Sequence, residues 1–521
     1  MNGSEAMVRT LLNSDVSVCF ANPGTSEMHF VSALDRVPQM RCVLGLFEGV
    51  VTGAADGYYR MTQKPAATLL HLGPGLGNGL ANLHNAKRAH SGIVNIIGQH
   101  AHDHIANDAP LTSDIEGIAR PVSDWVRTCA SSLTAAQDTA AAVHAASGSP
   151  AQVASLILPA DAAWGDSPAG GAPKLSQRPA PSPAQAAIAT IAKLLLSGDY
   201  EPGSVALVLG GRAMRGPSTR LAGQIAARTG CKLLAETKNA RSERGAGRVN
   251  IPQIPYPINA ALETLKDIRL LILVDAAKPV AFFAYPGKPR FLTHPDCSVE
   301  TLANGHEDVE LALAMLNDAV SGRTDQVAYL SDGGTVPTWN EGVPNSLDIG
   351  RALAGLLPEN AIVVDEAITT GRQLQLSAAM ARPHDWLEIT GGAIGYGLPC
   401  ATGAAIACPD RKVVTIVGDG SAMYTLQSLW TMARESLDVT VVICANRKYQ
   451  ILSGELDAMG GPPASTNAQR MLSIDSPELD WVQLARGHGL QATRVDSMAG
   501  FAKALEGGIS NAGPNLIEVV L

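Results

Sequence analysis

The stretch Val413-Val414-Thr415-Ile416-Val417-Gly418-Asp419-Gly420-Ser421 is a short, mostly apolar run that empties into two glycines flanking an acid. Met423, Leu426, Leu429, Trp430 and Met432 follow at helical spacing, and a second apolar run, Val439 to Cys444, stops at Ala445-Asn446. Strand, helix and strand in that order read as one βαβ unit with two parallel strands side by side. In open parallel sheets, ligands bind beyond the carboxyl ends of the strands. Asp419 and Asn446 therefore bring an acidic and an amide oxygen to adjacent strand ends. Oxygens of this kind suit a hard cation that also takes phosphate oxygens. Gly418 and Gly420 let the backbone approach a phosphate. A helix starting near Ser421 would aim free N–H groups at it, with the Ser421 hydroxyl as a further donor. An ordinary strand-to-helix turn competes with this reading, because Gly-Asp-Gly is a common turn tripeptide.

Working outward, the 521 residues are too many for one core and suggest about three domains. Apolar residues make up 46% and charged residues 17%, which marks a compact globular chain. No apolar run is long enough to span a bilayer, and Met1-Asn2-Gly3-Ser4-Glu5 has no signal-peptide character. The eight cysteines are scattered without a CxxC pair, so reduced thiols and a cytoplasmic location are expected. Net charge is −9 with no basic block, which argues against nucleic acid as a partner.

Apolar runs alternate with amphipathic stretches in three successive segments, which predicts an α/β fold of three doubly wound parallel-sheet domains. The expected domains are residues 1–165, 184–320 and 345–521. Expected strands include Val16–Phe20, Ala67–His71, Ile93–Ile97, Gln152–Leu158, Val205–Leu209, Lys232–Ala235, Leu270–Val274, Ala361–Val364 and Leu516–Val520. Pro/Gly/Ala/Ser-rich linkers, Gly165–Pro183 and Ser321–Pro344, separate the domains.

Four further constellations lie upstream. Cys42-Val43-Leu44-Gly45-Leu46-Phe47-Glu48 sets an acid directly after an apolar run. The small residues Gly49 to Gly57 behind it read as a tightly packed helix. An acid at such a buried junction should titrate above its usual range unless it is paired. Asn22-Pro23-Gly24-Thr25-Ser26-Glu27 precedes it, and His71-Leu72-Gly73-Pro74-Gly75-Leu76-Gly77-Asn78 follows as a Gly-rich turn between strand and helix. The spacing of those glycines misses G-x-G-x-x-G, which rejects a dinucleotide loop. Gly24, Asn78 and Gln99 are expected to line a pocket. His100-Ala101-His102-Asp103-His104 falls one residue short of a binuclear hydrolase pattern, so pocket-lining or solvated histidines are expected there.

Gly418-Asp419-Gly420-Ser421 with Asn446 resembles the cofactor motif of thiamine diphosphate enzymes, and the order of the N-terminal segments resembles their pyrimidine-binding domain. The resemblance runs nearly the whole length to the acetolactate synthase and benzoylformate decarboxylase group. It implies pyrimidine-binding, central and diphosphate-binding domains, with thiamine diphosphate and Mg2+ as cofactors. Asp419, Asn446 and the carbonyl of Lys448 would then hold the metal. Glu48 would drive the cofactor's tautomerisation, Ile394 would wedge between its rings, and Gly392 and Thr369 would contact it. The family often has a paired Asn where this chain reads Ala445-Asn446.

The resemblance further implies a 2-oxo acid substrate, decarboxylated through an enamine with release of an aldehyde. Thr25 and His71 match pocket and acid–base residues of benzoylformate decarboxylase. That enzyme's second histidine would fall near Ala281-Phe282-Phe283, where an apolar wall of Phe282 and Phe283 stands instead. Tyr449-Gln450-Ile451-Leu452 looks more like the acetolactate synthases, whose carboligation is the alternative reaction. A non-catalytic cofactor-binding protein is a further alternative, and a CoA-thioester lyase would require a nucleotide site that the central segment does not display. No flavin loop is apparent around Tyr285–Pro289. The family further implies a homodimer or homotetramer whose sites are completed across subunits.

Overall fold

The computed structural model describes residues 1–168, 170–320, 326–459 and 465–521. Part of the second expected linker, residues 321–325, and residue 169 of the first lie outside them. The chain forms two compact units. The first comprises Met1–Arg178, Pro337–Ser377 and Ile389–Leu521; the second comprises Pro179–Val336 and Ala378–Glu388.

In the first unit, β1 (Val18–Asn22), β2 (Arg41–Leu44), β3 (Ala66–Leu70), β4 (Ile93–Gln99), β5 (Trp125–Thr128) and β6 (Val153–Pro159) form a parallel sheet of order β2-β1-β3-β4-β6-β5. Strand β1 starts two residues later than expected. The preceding helix, Gly3–Asn13, closes through a bond from Val16 N to Leu11 O (2.9 Å), which commits Val16 to the helix end.

In the second unit, β7 (Val205–Leu209), β8 (Lys232–Ala235), the short β9 (Ser242–Arg244), β10 (Leu270–Val274) and β11 (Ser298–Ala303) follow in chain order. Four of these make a parallel sheet, β11-β10-β7-β8. The period-2 geometry of a strand divides β7 between two layers. Val205, Leu207 and Leu209 pack with Ile188, Ile225 and Leu313, whereas Ala206 and Val208 pack with Ala261 and Leu265. The sheet is apolar on both faces because helices cover both, as a doubly wound sheet requires.

Back in the first unit, β12 (Ile362–Glu366) precedes β13 (His384–Glu388), which belongs to the second unit. The first unit then continues with β14 (Val413–Gly418), β15 (Val439–Ala445), β16 (Gln491–Val495) and β17 (Asn515–Val520). Its five strands run parallel in the order β16-β17-β15-β14-β12. Strand β13 pairs antiparallel with β9, an arrangement the sequence did not suggest. Its residues, His384-Asp385-Trp386-Leu387-Glu388, look too charged for a buried strand. The charges are neutralised within the unit: Arg241 reaches Asp385 (2.6 Å) and Lys238 reaches Glu388 (3.0 Å).

Helix Glu48–Thr62 lies against helix Gly397–Ala407 at backbone-to-backbone distance. A Cβ on Gly57 would come within 2.1 Å of the Cys400 carbonyl oxygen, and one on Gly403 within 1.8 Å of the Ala54 carbonyl oxygen. The small residues of both helices are thus the condition for this packing, as the sequence suggested for Gly49–Gly57. One large polar group is sealed beside it. Arg60, fully buried, meets Asp56 at 2.7 Å and donates to the Tyr396 hydroxyl at 2.8 Å, while Ser91 Oγ donates to Asp56 at 2.5 Å. A buried charge is tolerable only when its partners are present. Asp56→Ala is therefore expected to destabilise the fold by about 3–5 kcal/mol, measurable as a lowered urea midpoint at unchanged slope.

Candidate active site

Gly418 is paired with Cys444 in the β14–β15 register, so Asp419 and Asn446 do emerge at neighbouring strand ends. The helix expected from Ser421 is instead two short pieces, Asp419–Ala422 and Ser428–Arg434. Thr425 lies in the break between them, where its hydroxyl donates to Gly395 O (3.0 Å). Asp419 is 3% exposed. Its two oxygens accept the N–H groups of Gly420 (2.9 Å) and Arg447 (2.7 Å). Burial pushes this carboxyl above its usual range, and the N–H donors only partly oppose it. Among the described residues no Lys, Arg or His forms an ion pair with it.

A buried carboxylate of this kind fits a bound dication. Asn446 accepts from Lys448 N (3.2 Å) and retains oxygen lone pairs for a second partner. The Lys448 side chain is exposed, and its backbone bridges to Ser473. At Gly418 the nearest heavy atom to an added Cβ is 4.0 Å away, which leaves open space beside the acid for a phosphate. Gly420, by contrast, is covered by the Tyr449 ring, 2.6 Å from where a Cβ would lie. Ser421 is buried, and Thr369 is half-buried in the turn Ile368–Gly371 after β12.

The loop carrying Gly392 and Ile394 is clamped from two sides. Gly392 is exposed with φ +76° and Ile394 is half-buried. Glu366, the last residue of β12 and 1% exposed, accepts three backbone N–H groups: Gly395 (2.7 Å), Tyr396 (3.0 Å) and Gly397 (2.6 Å). From the other side Asn82 donates to Gly395 O (3.0 Å) and Asn85 to Ala393 O (2.8 Å). None of Glu366, Asn82 and Asn85 was singled out from sequence. The only signal available was a carboxylate at a strand end beside the expected phosphate residues.

In the N-terminal segment, Glu48 opens its helix and is 6% exposed; Oε2 accepts from Asn78 Nδ2 (3.0 Å). The glycine-rich stretch after His71 is not a turn. The helix runs Leu72–Arg88 and its glycines lie inside it. They permit close approach, since a Cβ on Gly73 would meet Ser113 Oγ at 1.9 Å and one on Gly75 would meet Glu48 Oε1 at 3.0 Å. The same Cβ on Gly75 would lie 3.3 Å from His71 Cβ, so Glu48 and His71 flank one glycine. His71 Nδ1 lies 2.8 Å from buried Glu27. Thr25 is exposed and Gly24 half-buried at the start of the adjacent turn, Thr25–Glu27.

Gln99 is buried at the end of β4, with its side-chain oxygen accepting His100 N (2.8 Å). Phe282 and Phe283 form an exposed aromatic cluster with Tyr256 in the second unit. The histidines at 100, 102 and 104 do not converge. His102 pairs with Asp161 (2.9 Å), and no group of three or more metal-binding side chains occurs among the described residues. Nor does any hydrogen bond or ion pair among them join Glu48 to Asp419 or Asn446 within one chain.

Three parallel-dominant sheets, with an acid and an amide at adjacent strand ends and a clamped glycine loop nearby, define an α/β enzyme built around a phosphate-bearing cofactor. The thiamine pyrophosphate enzyme N-terminal TPP-binding domain matches residues 1–118, and the C-terminal TPP-binding domain matches residues 370–519. The chain is 46% identical, over its full length and 99% of the relative, to IlvX of Mycobacterium tuberculosis, provisionally assigned as an acetolactate synthase large subunit. It is 28% identical to benzoylformate decarboxylase of Pseudomonas aeruginosa over 99% of this chain and 98% of that one. The thiamine diphosphate-dependent 4-hydroxybenzoylformate decarboxylase of Rhodococcus jostii shares the fold at TM-score 0.83 and 23% identity, covering 100% of this chain and 99% of that one. This chain belongs to the thiamine pyrophosphate enzyme family, and thiamine diphosphate is its cofactor. No helix among the described residues is long and apolar enough to cross a membrane.

Glu366 yields a prediction with a definite sign. Burial pushes its carboxyl up to about 7 against the opposing N–H donors. The native chain thus holds this proton more tightly than the unfolded one. The contribution is full below the unfolded value of 4.5 and is lost as pH rises through about 7. Unfolding free energy should fall across that window by up to about 1.4 kcal/mol per pH unit, and Glu366→Gln should flatten that slope. The same exchange points an amide N–H2 at backbone N–H groups. A roughly 10-fold or greater loss of thiamine diphosphate affinity by calorimetric titration is expected.

Proposed function

We propose that the chain is a thiamine diphosphate- and Mg2+-dependent decarboxylase that converts a 2-oxo acid to an aldehyde. The observation that carries this reading is the placement of Glu48 and His71 on either side of Gly75, in a chain of this family. Thiamine diphosphate, when bound, supplies the nucleophilic carbon and the electron sink for loss of carbon dioxide.

The residues divide the remaining work. Asp419, Asn446 and the Lys448 carbonyl would hold Mg2+, while Gly418, Ser421 and Thr369 would receive the diphosphate, the Tyr449 ring covering Gly420. Glu48, steadied by Asn78, would hold and exchange a proton at the pyrimidine ring. Ile394 and Gly392, fixed through the Glu366 and Asn82/Asn85 clamp, would support the rings between. Thr25 and His71 would face the substrate, with His71 as proton donor or acceptor. As the family resemblance implies, we assign the complete site to a pair of chains, in a homodimer or homotetramer, with Glu48 of one and Asp419 and Asn446 of the other.

A second reading, transfer of the acyl unit to an acceptor as in acetolactate synthases, is favoured by the name of the 46%-identical relative. Both reactions begin with the same loss of carbon dioxide. A panel of 2-oxo acids, run with and without aldehyde or 2-oxo acid acceptors and read by mass spectrometry, separates them. Aldehyde as sole product supports decarboxylation, and coupled hydroxyketone supports ligation.

Glu48→Gln should lower carbon dioxide release by on the order of 100-fold or more while thiamine diphosphate still binds; undiminished turnover refutes its role. Chelation of divalent cations should release the cofactor, and Mg2+ should restore both binding and turnover.

A further inference from the structure

Glu27 stands out among the buried groups that the reading above leaves unused. It ends the turn Thr25–Glu27 and is 2% exposed. One oxygen, Oε2, lies 2.8 Å from Gly24 N and 2.8 Å from His71 Nδ1. The other, Oε1, is sealed without a partner and pressed against Gly98, where an added Cβ would come within 1.7 Å. A Cβ on Gly24 would lie 2.2 Å from Nδ1, so Gly24 too is packed against this edge of the ring. The Nδ1 edge is thus packed against the Glu27 carboxylate and a residue that has no room for a side chain. Ser26 Oγ, at 3.5 Å from Nδ1, is too distant to compete.

We propose that Glu27 is the positioning residue of His71, fixing its imidazole as the Nδ1–H tautomer so that Nε2 is the nitrogen that exchanges a proton with the substrate. The logic is one of donors and acceptors. A carboxylate oxygen only accepts, so the ring nitrogen facing it must donate. A neutral imidazole that donates through Nδ1 is an acceptor at Nε2. The His71 side chain keeps 24% exposure, and its Nε2 has no hydrogen bond among the described residues. The acidic group bonded to the ring is Glu27, from the adjacent turn; Glu48 lies near the His71 Cβ, both next to Gly75. The Nδ1 edge is committed to Glu27. A carboxylate beside the ring also compensates the charge His71 carries when Nε2 takes a proton, the role a buried acid plays beside a catalytic histidine in hydrolase triads.

This proposal rests on His71 as the proton-transfer group, and the test separates the two claims. The full-length protein loaded with thiamine diphosphate and Mg2+ is labelled with 15N-histidine, and the His71 signals are assigned by their loss in His71→Asn. Nitrogen chemical shifts report the tautomer without any turnover. The wild type is expected to show Nδ1 protonated and Nε2 bare; the reverse assignment overturns the proposal whatever the variants do. Glu27→Gln still offers one oxygen to both donors, so the tautomer should persist and kcat should fall less than about 10-fold. Glu27→Leu removes the acceptor. It should give mixed tautomers and a kcat about 100-fold lower at little-changed KM. A single Nδ1–H tautomer in Glu27→Leu also overturns the proposal. Undiminished carbon dioxide release in His71→Asn would instead refute the catalytic reading of His71 while leaving the tautomer result intact.

Discussion

The site depends on a charge that cannot reach water. The Arg60 guanidinium is enclosed by Asp56, the Tyr396 hydroxyl and the Tyr396 ring face, 4.7 Å below it. Arg60 and Asp56 belong to the helix that begins with Glu48, and Tyr396 belongs to the loop that carries Ile394. Desolvating a guanidinium is so unfavourable that its partners have essentially one acceptable arrangement. The ion pair therefore sets the register between the two segments. Glu48 at one end of its helix and the glycine loop at the other are placed by a single buried contact.

Around that anchor, buried side chains hold the glycine loop through its backbone. Glu366 collects three N–H groups of the loop, and Asn82 and Asn85 take its carbonyls. A loop with this many glycines has no packing of its own to hold it. Its conformation is imposed through its hydrogen bonds, which keeps the backbone rigid while leaving the surface beside Gly418 open.

Much of this was legible in the residues. The strand-end pair Asp419 and Asn446 follows from two apolar runs that stop at an acid and an amide, a signal that needs only local spacing. The close helix at Gly49–Gly57 follows from side-chain size. What escaped notice has a common physical cause. Glu27, Glu366, Asn82 and Asn85 act through partners far away in sequence, and their residue types are ordinary at turns and helix surfaces. The glycines after His71 read as a turn because glycine weakens helices. Their use here is to let Ser113 and Glu48 approach a helix that tertiary contacts sustain. Strand β13 was hidden for the opposite reason, since its charges mimic a surface segment until Arg241 and Lys238 are seen beside it.

The contact of Gly57 with Cys400 and of Gly403 with Ala54 also bears on how this protein can be recombined. The N-terminal and C-terminal TPP-binding segments match separately in sequence, yet they share one interface in which main chain touches main chain. At those two crossings no side chain stands between the helices to be repacked. A chimera that takes either half from a relative succeeds only if the incoming helix also has glycine at the facing position, together with a partner for Arg60. The two segments are thus interchangeable as a pair and not singly, and changes in substrate preference are most freely accommodated at side chains outside that seam.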